Sequence, residues 1–504
     1  MRDLRALATD VIGEHGGPAD NWAFAISPLA TPPLSNDFRI GSGHYYVDGI
    51  LCEVESTPVP VVVQAHSPGG VRVPRWTVDN VEYQLDQYVE LFDDAVSPHF
   101  APTVVQIKAL DQTHQTLMLQ GAPQELASAT APNIRRVVTF KTQPDYPVLP
   151  DTQLIDGDYQ VYVDVWERHI TFVGEDSIRE VAVDGPDTAS RAKIVWQVKL
   201  LSLGGRAGTC LAPKEIRDRL RPDTAGRLKA TTKRHSMSAD PCIVPHDARY
   251  RGVENQLYRV EIHRPGLAWN GTPGGKATAA TFKWCRENGS VIFPIVAGGG
   301  TTTVTLEHLG RGKRLGLAEG DWVEVLDDDY ALSNSTRNLL QVRAIDRGSM
   351  MVALSGAPDA NVGADPAKHP MLRRWDHKEG DPTEGGLQLA TDGAVLIVER
   401  SEGGWLTLED GVRIQFQVGP PANTYHTGDY WLIPARTATA DVEWPRKPAK
   451  DGSGNPTVVP IALPPAGIHH HYAPLAVVTL ANGRITSSTE CRKKFATLVC
   501  LTPP

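Results

Sequence analysis

Two stretches, Gly320-Asp321-Trp322-Val323-Glu324-Val325 and Gly428-Asp429-Tyr430-Trp431-Leu432-Ile433, carry the same phrase: a Gly-Asp step followed by an aromatic and then aliphatic residues. A Gly-Asp step supplies a tight turn and a side-chain cap, and the β-branched and aromatic run behind it reads as a strand. Upstream of the first lies Phe282-Lys283-Trp284-Cys285-Arg286-Glu287-Asn288-Gly289-Ser290-Val291, and upstream of the second a Trp375-led segment. The pairing predicts two repeated β-modules at 276–372 and 373–480, superposing in their central strands with Asp321 and Asp429 at corresponding turns.

Working outward, the first module has strand patterns at 281–284, 302–306, 322–326, 339–345 and 350–354. The second has them at 394–399, 405–408, 412–417, 429–434 and 442–444. Nearer the N-terminus, Asp48-Gly49 between Gly43–Val47 and Ile50–Glu53 is a hairpin signal, because both central turn positions need positive φ. Tyr159–His169 alternates with Val161, Val163 and Val165 on one face, and Ile194–Leu200 and Gln256–His263 read as further strands. Asp184-Gly185-Pro186-Asp187-Thr188 reads as a turn, and 213–235, polar and largely basic, as an exposed excursion. Leu4, Leu7, Ala8, Val11 and Ile12 share one face at helical spacing, and the pattern stops at Gly13.

The expected fold is mainly β: a multidomain chain of sandwich-like or barrel-like modules with a short N-terminal helix. With 504 residues the chain exceeds a single core, and the Pro-rich join after Gln143 together with the modules gives four segments: 1–143, 144–275, 276–372 and 373–504. The net charge of −9 argues against a general nucleic-acid partner. The start Met1-Arg2-Asp3-Leu4 does not read as a signal peptide, so synthesis in the cytoplasm is expected. Six cysteines without zinc-like spacing read as incidental thiols, with a Cys491–Cys500 disulfide as the alternative outside the cell.

Nucleotide-binding, zinc-protease and serine-hydrolase motifs are missing, which moves the reading away from enzymes and predicts no cofactor. His469, His470 and His471 alternate faces on a strand, so they hold a metal only with ligands from elsewhere; packing beside Tyr472 is the plainer role. Asp327-Asp328-Asp329 reads as a solvated turn, since consecutive carboxylates point different ways. The loop Asp451-Gly452-Ser453-Gly454-Asn455 lacks the distal glutamate of a calcium loop.

Several phrases, among them Gly43–Glu53, Val163–His169, Asp184–Lys193, Trp284–Val291, Gly428–Arg436 and His470–Leu475, resemble a bacterial family of unassigned domains. That family is similar to phage-tail-associated proteins whose genes cluster with contractile, phage-tail-like injection systems. Two departures stand out: family members usually carry a longer segment before the helix, and Cys285 stands where serine is more frequent.

With the β-modules and the missing catalytic motifs, the resemblance implies a structural subunit of such a particle, in the baseplate, a fibre or another peripheral position, synthesised in the cytoplasm and released with the particle. Its partners would be other particle subunits and further copies of itself, a trimer being expected of such assemblies. Leu4, Leu7, Val11 and Ile12 would serve attachment, and Trp322, Tyr430 and Trp431 would be buried against neighbours. The alternative is a surface-recognition module binding a glycan or receptor, with Trp375 and Asp376 or Trp405 as contacts. A third reading is a metal-dependent hydrolase using His469–His471.

Overall fold

In a computed structural model, residues 2–496 are described apart from 20–21, 30–35, 65–68, 80, 96, 148–151, 181, 183–189, 206–207, 222–225, 233–248, 334–335, 360–361, 382–384, 402, 420–421, 451–453 and 455. The expected turn at Asp184–Thr188, most of the loop at 451–455, and Cys242 and Cys500 lie outside the described residues. The chain is mainly β, with short helices, several sheets and a closed barrel. It divides into two compact units, both discontinuous in sequence. The first comprises 1–168, 192–220 and 469–504; the second comprises 169–191 and 221–468. The segment 373–504 thus contributes to both.

The first unit contains the predicted hairpin. Gly43–Val47 pairs with Ile50–Val54 across Asp48 (φ 47°) and Gly49 (φ 73°), the positive-φ pair such a turn requires. Its seven-stranded antiparallel sheet is built on Tyr88–Asp93, Thr103–Asp111 and Thr116–Gln120. The strand Gly157–Ile170 pairs with His471–Ala481, which turns back into Arg484–Glu490. The alternation seen in the sequence places Val161, Val163 and Val165 in an apolar cluster with Trp196, Val198, Leu475 and Val478.

The second unit holds the six-stranded barrel, in the order Ile292–Ala297, Thr303–Leu306, Met351–Leu354, Leu340–Asp346, Trp322–Leu326, Met371–Trp375. A five-stranded sheet runs Val395–Leu396, Thr281–Cys285, Gln256–Ile262, Tyr430–Arg436, Asp441–Val442. Its Val260, Phe282 and Trp431 share one core with Leu228, Ile414 and Phe416 of a smaller sheet, a sandwich arrangement.

The expectation of two superposable modules is corrected by this topology. The first phrase starts a barrel strand. The second starts Tyr430–Arg436, which pairs with Gln256–Ile262, and Val412–Gln417 pairs with Arg227–Thr232; both partners precede residue 276. The turn is shared, with Gly320 at φ 86° and Gly428 at φ 82°. The strands behind the two turns differ: Val323–Leu326 is buried at every position, whereas Tyr430–Arg436 alternates half-buried and buried. A two-residue turn sets a local direction and leaves the pairing partner open.

Two further expectations change. The described part of the 213–235 stretch is not an exposed excursion: Pro213–Leu220 is a helix whose Ile216 is fully buried, and Arg227–Thr232 is a core strand that buries Leu228, Ala230 and Thr232. Its basic residues occupy the outward positions and hide the period of two. Nor is Cys491 an incidental thiol or a partner of Cys500, since it forms a disulfide with Cys210. The helix Pro213–Leu220 brings Cys210 there by packing Ile216 with Tyr162 and Tyr472.

Candidate functional site

The N-terminal helix, Arg2–Ile12, is held on one side and open on the other. Its Arg5 guanidinium pairs with Glu167, and the turn at Gly49 lies so close that a Cβ there would stand 2.3 Å from the Arg5 carbonyl oxygen. Ala8, Thr9 and Ile12 are half-buried. The expected apolar face therefore splits: Ile12 leans on the first unit, while Leu4, Leu7 and Val11 are 70%, 60% and 73% exposed. Asp3 and Asp10 are exposed as well. Trp22, on the same unit, is also exposed, with the Lys494 ammonium 5.9 Å from its ring centroid; no sequence pattern marks it.

The aromatic residues expected at interfaces lie elsewhere. Trp431 is a core residue, 2% exposed, whose indole N–H donates to the Leu463 carbonyl at 3.0 Å. Burial in its own unit withdraws it from contact with neighbours. Trp322 is half-buried and stacks on His377 at 5.9 Å between centroids. Tyr430 is half-buried under the Arg259 guanidinium, 3.7 Å from its ring centroid, a cation–π contact.

The three histidines do not converge. His469 is exposed. His470 Nδ1 lies 2.7 Å from Asp164, which also accepts from Lys199 at 2.8 Å, while His471 Nδ1 lies 2.7 Å from Asp48. His470 also stacks on Tyr472 and lies against Trp166. Burial pushes the Asp164 carboxyl up, but the hydrogen bond from His470 and the charge of Lys199 outweigh it and hold the acid below its ordinary value. Among the described residues no group of three or more His, Cys, Asp or Glu side chains is arranged to hold a metal ion.

The Asp327–Asp329 run is no solvated turn either. Asp327 is buried and accepts from the backbone N–H groups of Tyr330 at 2.9 Å and Gly363 at 2.8 Å, while Asp328 pairs with His369 and Asp329 with Lys368. It starts the helix Asp328–Ser333, where carboxylates are favourable.

The second unit adds two polar features that no local motif announces. One is a buried ion pair where the barrel wall meets the five-stranded sheet. Val323 and Val325 fill the barrel, so Glu324 points out of it toward Lys283. Lys283 Nζ donates to both Glu324 oxygens at 2.7 Å and lies 3.3 Å from Glu261. Trp375 Nε1 donates to Glu324 at 3.1 Å, and the Tyr330 hydroxyl donates to it too. Burial raises the Glu324 carboxyl, yet Lys283 and His263 more than offset this and keep it below its ordinary value. Burial first and Lys283 second push His263 down to about 4. His377, fully buried, falls to about 3, chiefly through burial.

The other feature is a cleft of about 760 Å³ in the same unit. Its walls carry four basic side chains, Arg251, Arg286, Lys378 and Arg413, and five acidic ones, Asp376, Glu379, Asp381, Glu409 and Asp410. Arg286 ties two of its sides together, donating to Glu409 at 2.8 Å from its side chain and to Asp376 at 3.0 Å from its backbone. Burial raises the Glu409 carboxyl despite Arg286. Of the aromatic contacts expected for a glycan, Trp375 is buried, and Trp405 is half-buried beneath Arg413. Only Asp376 lines the cleft. Cys285 is a buried thiol pushed up to about 12 by burial, unsuited to nucleophilic work.

No helix among the described residues is long and apolar enough to cross a membrane. No curated protein and no solved structure matches the chain. A family of unknown function (DUF6519) matches over residues 150–226 and 219–502, more than half of the 504 residues. The chain belongs to that family.

Proposed function

We propose that this protein is a structural subunit of a contractile, phage-tail-like particle, in its baseplate, a fibre or another peripheral position, and that its N-terminal helix attaches it. The observation that carries this reading is the helix itself, seated on the protein by one side while Leu4, Leu7 and Val11 face solvent. Burying what is still exposed of those three and of Ile12 is worth about 3–7 kcal/mol before ordering costs. That is enough to dominate a modest contact. The likeness of its phrases to phage-tail-associated proteins supports the same assignment, and the Cys210–Cys491 disulfide suits a protein that ends outside a reducing cytoplasm. Association with further copies is threefold in this reading. The test is deletion of residues 1–13: a folded protein that no longer co-purifies with particles is the expected result, and normal incorporation would refute the attachment role.

A second reading, recognition of a surface glycan or receptor, draws on the charged cleft. The mixed charge and the Arg286 brace suit a polar ligand, and Trp375 offers no open stacking face. Glycan arrays probed with the wild-type protein and with Arg286→Ala decide it: a signal lost in the variant supports the cleft, and blank arrays dismiss it.

A further inference from the structure

The exposed side of the N-terminal helix has an order that narrows what covers it. Leu4, Leu7 and Val11 follow the three-then-four spacing of a coiled-coil seam, narrower than the stripe of a helix lying on a globular core. Asp3 and Asp10 are seven residues apart, so they fall on one edge of that seam. On the other edge Ala8 and Ile12 are half-buried and Arg5 is held by Glu167. The seam is therefore apolar with a single acidic border, and the Arg5 cation is already engaged.

Resting on the attachment reading, we infer that the helix docks an amphipathic helix of another protein whose own apolar seam is bordered by lysine or arginine. Border charges of this kind set partner choice in helix pairs. A second copy of this chain meets the requirement poorly. Antiparallel helices would set the Asp3 and Asp10 edges against each other, a parallel pair would give them no cation, and each copy carries a net charge of −9. An anionic lipid surface is repelled by the same border.

The test uses the full chain and two synthetic helical peptides with identical leucine seams, one bordered by lysine and its twin by glutamate, with affinity read by fluorescence anisotropy. The lysine peptide should bind roughly tenfold tighter or more, Leu7→Asp should abolish that binding, and Asp3→Lys with Asp10→Lys should reverse the preference. The altered side chains are exposed, so unchanged urea midpoints will show that each variant folds. Equal affinity for both peptides, no affinity for either, or a dimer of the full chain that Leu7→Asp dissolves would each overturn the inference. Particle incorporation separates the two claims. If deletion of 1–13 blocks incorporation while the peptides are bound alike, attachment stands and the basic partner falls; if deletion leaves incorporation intact, attachment falls.

Discussion

Asp164 of the first unit and Glu324 of the second are both buried carboxylates held by a lysine, yet their surroundings differ. The partners of Asp164, Lys199 and His470, keep 25% and 13% of their side chains exposed. The lysine on Glu324 keeps 3%, and its other donors are Trp375 and Tyr330. Water can replace a lost partner of Asp164 and cannot reach Glu324. A carboxylate–lysine pair should therefore tolerate change in one unit and hold barrel against sheet in the other.

The largest effect should come from Lys283→Met, which strands Glu324 without its cation, whereas Glu261 keeps Arg259 at 2.6 Å. The second unit should lose about 3–5 kcal/mol, read as an earlier urea transition, and a loss under about 1 kcal/mol would show that water enters after all. Replacing Cys210 and Cys491 by serine should lower the first unit by about 2–4 kcal/mol and leave the transition of the second in place. Asp164→Asn keeps the shape and removes the charge, so about 1–3 kcal/mol is expected. If it matches Lys283→Met, the contrast drawn from solvent access is wrong.

Acid should sharpen the contrast. His263 and His377 have folded pKa values near 4 and 3, below the unfolded value of about 6.5. The stability they contribute is complete above pH 6.5 and is lost as pH falls toward those values, because the unfolded chain binds protons the folded one refuses. The slope approaches about 1.4 kcal/mol per pH unit for each histidine. Among its described residues the first unit has one such group, His15, lowered to about 4 by burial. Between pH 6.5 and 4 the second unit should therefore lose stability more steeply, and His377→Gln should flatten its profile. The smallest effect belongs to the helix: deleting 1–13 should change stability by less than about 1 kcal/mol, since Leu4, Leu7 and Val11 already face water and only Ile12 of its larger apolar side chains is half-buried.

Patterns with a short period were open to reading. The strands Trp322–Leu326 and Val412–Gln417 agree with the sequence-based ranges, and so does the turn at Asp48-Gly49. Features that depend on distant partners were not. Lys283 reads as an ordinary polar strand residue until Glu324, 41 positions on, is placed beside it. Arg251, Arg286, Asp376 and Glu409 reach one cleft from four separate stretches. The repeated Gly-Asp phrase misled because it reports a turn: the strand behind the first pairs inside the barrel, and the strand behind the second takes a partner from before residue 276. At the helix the periodicity was plain, but which half of the apolar face touches the protein depended on Gly49 and Glu167.

The interrupted order of the first unit governs how the chain leaves the ribosome. The strand Gly157–Ile170 needs His471–Ala481 as its neighbour, and about 300 residues must be translated in between. At typical rates of about 5–20 residues per second that is a wait of roughly 15–60 s. The second unit, which runs to Ile468, is itself complete only as that wait ends. The nascent first unit shows one open edge of Val161, Val163 and Val165 all that time, a natural target for chaperones and the step at which overproduction would lose this protein to aggregates.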